Sequence, residues 1–265
     1  MTACGVMRVL FSTTAGTGHF GPLIPFAKAC AAAGHTVAVA APGSFANAVT
    51  GAGFRHLAVG EPPRELIGQT FARIQQLTFE EANRVVLLDL FGRLYAHPAL
   101  STLGTIMTDW RPDVVLRESA EFASLVAAET AGIGQLEVAI GMGLVGPGIV
   151  ELLKDPLAEL STMAGLPADR GAELLLGGAT LTSVPRALDG DLTLGEPQPD
   201  RPDDRGPTWR FRTDAPIEAR LPAAWGNPAD PLIYVSYGSV TARQPEFAPI
   251  YDATLRTWPN YRSGF

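Results

Sequence analysis

"RVLFSTTAGTGHFGPLIPF", residues 8–26, decides how the chain is read. With Met7 it opens as an apolar run, MRVLFST (7–13), that ends in small polar residues, the pattern of a strand buried on both faces of a parallel sheet. Gly16, Gly18 and Gly21 follow at the G-x-G-x-x-G spacing of the dinucleotide-binding fingerprint. That fingerprint also needs an Asp or Glu about 20 residues on, at the end of the second strand, to hold the ribose. The chain has Val39-Ala40-Ala41-Pro42 there, and Pro22 and Pro25 remove two backbone donors that a pyrophosphate would use. An NAD-dependent oxidoreductase is therefore the weaker reading. What the loop does offer is His19, at the carboxyl end of the first strand, where ligands of open α/β sheets bind.

Working outward, a helix is expected from about Phe20 to Ala33, with Pro22 in its first turn and Gly34 stopping it. HTVAVAAP (35–42) reads as a second strand, SFANAVTGAG (44–53) as a short helix with Ser44 as its cap, and FRHLAV as a third strand. Residues 62–110 show helical spacing and are expected to be an inserted pair of helices. RPDVVLRES (111–119) restores the strand pattern, AEFASLVAAETAG the helix, and GQLEVAIG the next strand, its alternation weakened by Glu137. Residues 150–176 are again helical and GGATLTSVP reads as a strand. The sum is an α/β fold: a doubly wound, mostly parallel, Rossmann-like sheet over residues 1–190. A Pro-, Gly- and Asp-rich stretch reads as a linker over 191–230, and 231–265 as the first β-α unit of a second, unfinished domain.

Composition narrows the function. A chain of 265 residues that is 46% hydrophobic can bury a sizeable core. Its net charge of −7, with no basic cluster, argues against nucleic-acid binding. Two cysteines, Cys4 and Cys30, are too few for a secreted disulfide scaffold. Without a charged leader or an apolar run of membrane-spanning length, the expected location is the cytoplasm, with no membrane partner.

His19 reads either as a general base, its ordinary pKa leaving neutral imidazole well populated at neutral pH, or as a packed or capping histidine. Glu118 favours the first. It ends the fourth strand, and in a sheet of this type the carboxyl ends of strands one and four are neighbours across the switch point. A carboxylate on the second ring nitrogen fixes the tautomer and stabilises the imidazolium formed on proton abstraction. Alternatively, Glu118 is an exposed acid at a helix start. His35, His56 and His97 lack metal-ligand spacing, and no metal is expected.

Three stretches resemble the family 1 glycosyltransferases of the GT-B fold, and among them the actinobacterial enzymes that glycosylate natural products. They are the opening MRVLFSTTAGTGHFGPLIPFAKACAAAGHTVAVAAP, then RPDVVLRESAEFASLVAAETAGI, and finally LPAAW with PLIYVSYGSV. The resemblance implies an inverting transfer from a TDP- or UDP-sugar to a hydroxyl of a lipophilic aglycone, with no cofactor. It implies His19 as base and Glu118 as its partner, where many relatives carry Asp. Gly18, Gly238 and Ser239 would lie against the donor phosphates, and Phe20, Phe71, Leu88, Phe91 and Met142 would line the acceptor pocket. A homodimer or an auxiliary protein is compatible with it. The family's His-x-G-x-x-T donor signature does not occur here, so the chain reads as an acceptor domain, a linker and the start of a donor domain, inactive alone. A non-catalytic small-molecule-binding domain is the competing reading, separated from the enzyme by binding without turnover.

Overall fold

Alternation along each strand builds the sheet. A computed structural model of the chain describes residues 5–141, 147–185, 188, 206–212, 234–237 and 248–257. Seven strands, β1 (Arg8–Ser12), β2 (Thr36–Pro42), β3 (Arg55–Val59), β4 (Val114–Glu118), β5 (Gly134–Val138), β6 (Ala179–Thr182) and β7 (Thr208–Arg210), form one sheet in the order β3-β2-β1-β4-β5-β6-β7. All six pairings are parallel. Successive side chains point to opposite faces, so Leu10, Ala38, Ala40 and Val115 feed one core and Val9, Phe11, Val39, Ala41, Leu116 and Val138 the other. The strand order turns back beside β1, which places the ends of β1 and β4 side by side, with Ser12 opposite Arg117.

Helices cover both faces. The loop after β1 holds α1 (Thr17–Phe20) and α2 (Leu23–Ala32), where one helix was expected. Gly21 N–H closes α1 on the Thr17 carbonyl at 2.9 Å and Pro22, lacking an N–H, starts the next segment. A 3₁₀ turn (Gly43–Phe45) precedes α3 (Ala46–Gly51), and Ser44 donates to Glu61 rather than capping the helix. The expected helical pair over 62–110 is four segments: α4 (Arg64–Ile74), α5 (Phe79–Val85), a π-helical stretch (Val86–Tyr95) and α6 (Ala96–Asp109). A capping box of Thr78 and Glu81 starts α5. Gly60, at the end of β3, has no room for a side chain because a Cβ there would meet the Pro98 carbonyl oxygen at 2.1 Å, so α6 sits hard against the sheet.

Helix α7 (Ala123–Thr130) is buried from Ala123 to Ala128, as expected of a helix apolar on all sides. After β5 come α8 (Pro147–Leu152), α9 (Lys154–Met163) and α10 (Arg170–Gly177). Strand β7 falls inside the stretch 191–230 expected to be a linker. It joins β6 through Thr180 N–H to the Pro207 carbonyl and Phe211 N–H to the Thr182 carbonyl, both 2.9 Å, and Phe211 packs edge-on against Phe26.

Contacts divide the chain into Met1–Thr213 and Asp214–Phe265. In the second unit, α11 (Ala248–Arg256) is the helix expected from the sequence, with Tyr251 edge-on to Tyr237. Tyr234–Tyr237, inside the expected strand, are in no ladder among the described residues. Cys4, Met142, Gly238 and Ser239 lie outside the described residues. Among the described residues no helix is long and apolar enough to cross a membrane.

Candidate active site

The glycine motif shapes a histidine. Gly16 has φ 146° and ψ 139°, a conformation that side chains rarely adopt, and a Cβ there would stand 3.1 Å from His19 Cδ2. Its carbonyl accepts the N–H groups of His19 and Phe20 at 3.2 and 3.0 Å, which starts α1. A Cβ on Gly21 would meet the Thr17 carbonyl oxygen at 2.8 Å. Gly18 is exposed, with nothing within 4 Å of a Cβ. Two of the three glycines are thus explained by the turn that aims His19.

His19 Nδ1 lies 3.0 Å from Glu118 Oε1, directly across the switch point. The Glu118 side chain is fully buried and His19 is 21% exposed. Oε1 also accepts from Thr14 N–H at 3.3 Å and Thr14 Oγ1 at 2.8 Å, and Oε2 from Ala120 N–H at 2.6 Å. Burial pushes Glu118 up, but the His19 hydrogen bond and charge, with Ala120 and Thr14, outweigh it and hold the carboxyl below its usual range. An ionised carboxylate only accepts, so Nδ1 is the donor, and in the neutral ring Nε2 carries the lone pair. Burial pulls His19 down, yet Glu118's hydrogen bond and charge win and raise it above 6.5. The His19 ring is 5.0 Å from the Phe91 ring, and Nε2 makes no hydrogen bond among the described residues.

A narrow cleft adjoins the pair over the carboxyl ends of β1, β2 and β3, its walls including Thr13, Thr14, Phe91, Tyr95, Glu121 and Phe122. Of the residues expected around an acceptor, Phe91 is there, supplied by the π-helical stretch, a feature common at functional sites. Phe20 is not. It is 3% exposed in the core with Phe11, Leu23 and Val49 and edge-on to Phe45, because one residue along a helix turns a side chain by about 100° from its neighbour. Phe71 is 41% exposed on α4, and Leu88 lines a separate polar groove with Arg84, Arg93 and Asp155.

Sequence reasoning did not single out Thr14, or Glu121 beside Glu118. Burial pushes the Glu121 carboxyl up, against hydrogen bonds from Ser124 and Ser12. The signal available was the density of polar residues, RESAE, at the end of an otherwise apolar strand. Cys30 is half-buried against the second core, which pushes its thiol up and leaves it a packing residue.

Comparison with known proteins agrees with this architecture. The erythromycin biosynthesis protein CIII-like N-terminal domain matches residues 28–189. L-demethylnoviosyl transferase of Streptomyces niveus is 31% identical over 260 residues, covering 94% of this chain and 61% of that protein. The glycotransferase of kitacinnamycin superposes with a TM-score of 0.65 at 20% identity, over 97% of this chain and 64% of its own. Glycosyltransferase VinC, solved in complex with DTDP, gives 0.51 at 22% identity, over 68% and 49%. The chain spans about half to two thirds of the length of these proteins.

Proposed function

Since this chain belongs to the erythromycin biosynthesis protein CIII-like family through its N-terminal domain, we propose that it is the acceptor half of a glycosyltransferase. On this reading it receives sugar from a nucleoside diphosphate, TDP or UDP, onto a hydroxyl of a lipophilic natural-product aglycone, with inversion. The observation that carries the reading is the 3.0 Å contact between His19 Nδ1 and Glu118, which leaves Nε2 free to take a proton. The relatives' names support it too: they are glycosyltransferases, and one neighbour was solved with DTDP.

The proposed chemistry is a single displacement. As the acceptor oxygen attacks the anomeric carbon, its proton passes to His19 Nε2 and the bond from that carbon to the diphosphate breaks. The leaving group carries off the electron pair, and attack from the opposite side inverts the centre. The imidazolium then sits on a carboxylate already held by Thr14 and Ala120, which stabilises the charge as it develops. Phe91 and the apolar cleft wall exclude water from the reacting hydroxyl.

The test uses the natural full-length protein with TDP- and UDP-sugars and a panel of hydroxylated aglycones. Product with inverted anomeric configuration, lost in His19→Ala, is expected. Retained configuration or undiminished transfer by His19→Ala sinks the mechanism, and aglycone binding without transfer under all conditions favours the non-catalytic reading.

A further inference from the structure

The sequence left Glu137 unexplained, a charge inside a strand pattern. In the structure it is register partner to Arg117 on the neighbouring strand, and the pair lies on the face of the sheet opposite Glu118. Arg117 is the largest fully buried side chain among the described residues. Its guanidinium donates in three directions: Nη2 to Glu137 Oε2 at 3.2 Å, Nε to Gln135 Oε1 at 3.2 Å, and Nη1 to the backbone carbonyl of Glu118 at 3.3 Å. Ser119 Oγ donates to Glu137 Oε1 at 2.7 Å and accepts Ile140 N–H at 3.3 Å.

The Glu118 carbonyl is the critical atom. It also accepts Glu121 N–H at 3.1 Å, closing a turn over residues 118–121, and inside that turn Ala120 N–H holds Glu118 Oε2. Both ends of Glu118 are therefore held: its carbonyl by Arg117 and Glu121 N–H, and its carboxylate by Ala120 N–H of the same turn and by His19 Nδ1. Buried ion pairs contribute little to stability over a well-packed apolar pair, because desolvation offsets their attraction. This one, however, directs its spare donor to the strand end that carries the carboxylate.

We propose that the buried Arg117–Glu137 pair, with Ser119, is a positioning device for the dyad: it fixes the 118–121 turn so that Glu118 meets His19. The inference rests on the reading of His19 and Glu118 as base and partner. Neither Arg117 nor Glu137 touches substrate in this account.

The test is NMR titration of the ¹⁵N-labelled His19 imidazole in the whole 265-residue chain, which reads the dyad without an acceptor. Among the described residues Glu118 is the charged group that acts on His19; Glu121, buried in the turn after β4, acts on Glu118 and is unchanged in every variant. In Glu118→Gln the midpoint falls, fixing the scale. In the paired apolar variant Arg117→Met/Glu137→Leu the melting temperature is expected to stay within a few degrees while the His19 midpoint falls toward that of Glu118→Gln and the Nδ1–H tautomer loses its dominance. Ser119→Ala, a smaller change that serves if the paired variant does not fold, is expected to give a partial fall. A midpoint unmoved in the paired variant, or in Ser119→Ala where that alone folds, overturns the proposal and leaves the dyad standing. A midpoint unmoved in Glu118→Gln overturns the dyad reading, and the proposal with it.

Discussion

Replacing Gly16 with alanine asks what the glycine motif is for. A side chain at φ 146° and ψ 139° is strained by roughly 1–3 kcal/mol. Alanine returns about 0.4–1 kcal/mol by stiffening the unfolded chain, so a net loss of about 1–2 kcal/mol is expected. For a unit of this size that lowers the melting temperature by about 2–8 °C. The strain has a second effect, because the new Cβ would stand 3.1 Å from His19 Cδ2 and the ring must yield by a few tenths of an ångström. Moving the ring loosens the 3.0 Å contact with Glu118, so the His19 midpoint falls along with the melting temperature. Gly18→Ala is the control: with open space around it, and alanine favoured over glycine inside a helix, the melting temperature stays or rises. Thermal melts by circular dichroism and the imidazole titration read both effects. If Gly16→Ala melts with wild type and titrates unchanged while Gly18→Ala is the damaging change, the argument that Gly16 exists to seat His19 is wrong.

Four further outcomes are expected. His19→Ala in the full-length enzyme lowers the chemical step by roughly 10²–10⁴-fold with acceptor KM little changed, measured by single-turnover transfer. The acid limb of the pH–rate profile reports His19, which Glu118 raises, so Glu118→Gln moves that limb to lower pH as well as lowering kcat, and an unmoved limb would assign it to another group. The pair's stabilisation has a window: His19's share, with its folded pKa raised, is full below about 6.5 and fades as pH rises, and Glu118's share, with its pKa lowered, is full above about 4.5 and fades as pH falls. Glu121 runs the other way. Burial raises its carboxyl, so the fold loses stability as pH rises from about 4.5 through the raised value, and Glu121→Gln flattens that slope in melts across pH, a result that an unchanged slope would contradict.

Much of this protein was legible in its residues. The apolar runs of MRVLFST, HTVAVAAP and RPDVVLRES are strands because a sheet covered on both faces needs nothing polar until its carboxyl edge. The polar residues at those edges, His19 and Glu118, marked the site for the same reason. The missing ribose acid after Ala41 was equally plain, since an absent side chain needs no coordinates to notice.

What only the tertiary structure decided are the features set by partners distant in sequence. That the turn itself has no room for a side chain at Gly16 or Gly21 follows from where His19 Cδ2 and the Thr17 carbonyl come to lie. The π-helical stretch that brings Phe91 to His19 packs so closely that a Cβ on Gly92 would stand 2.9 Å from Pro156 Cβ, 64 residues on, a contact that no local propensity encodes. Strand β7 was hidden because Thr208–Arg210 is too short to stand out from its Pro- and Gly-rich flanks, and it becomes a strand by borrowing the edge of β6. Phe20 and His19 are neighbours in sequence, yet one belongs to the core and the other to the site, because the helix turns between them and only the sheet below defines which side is in.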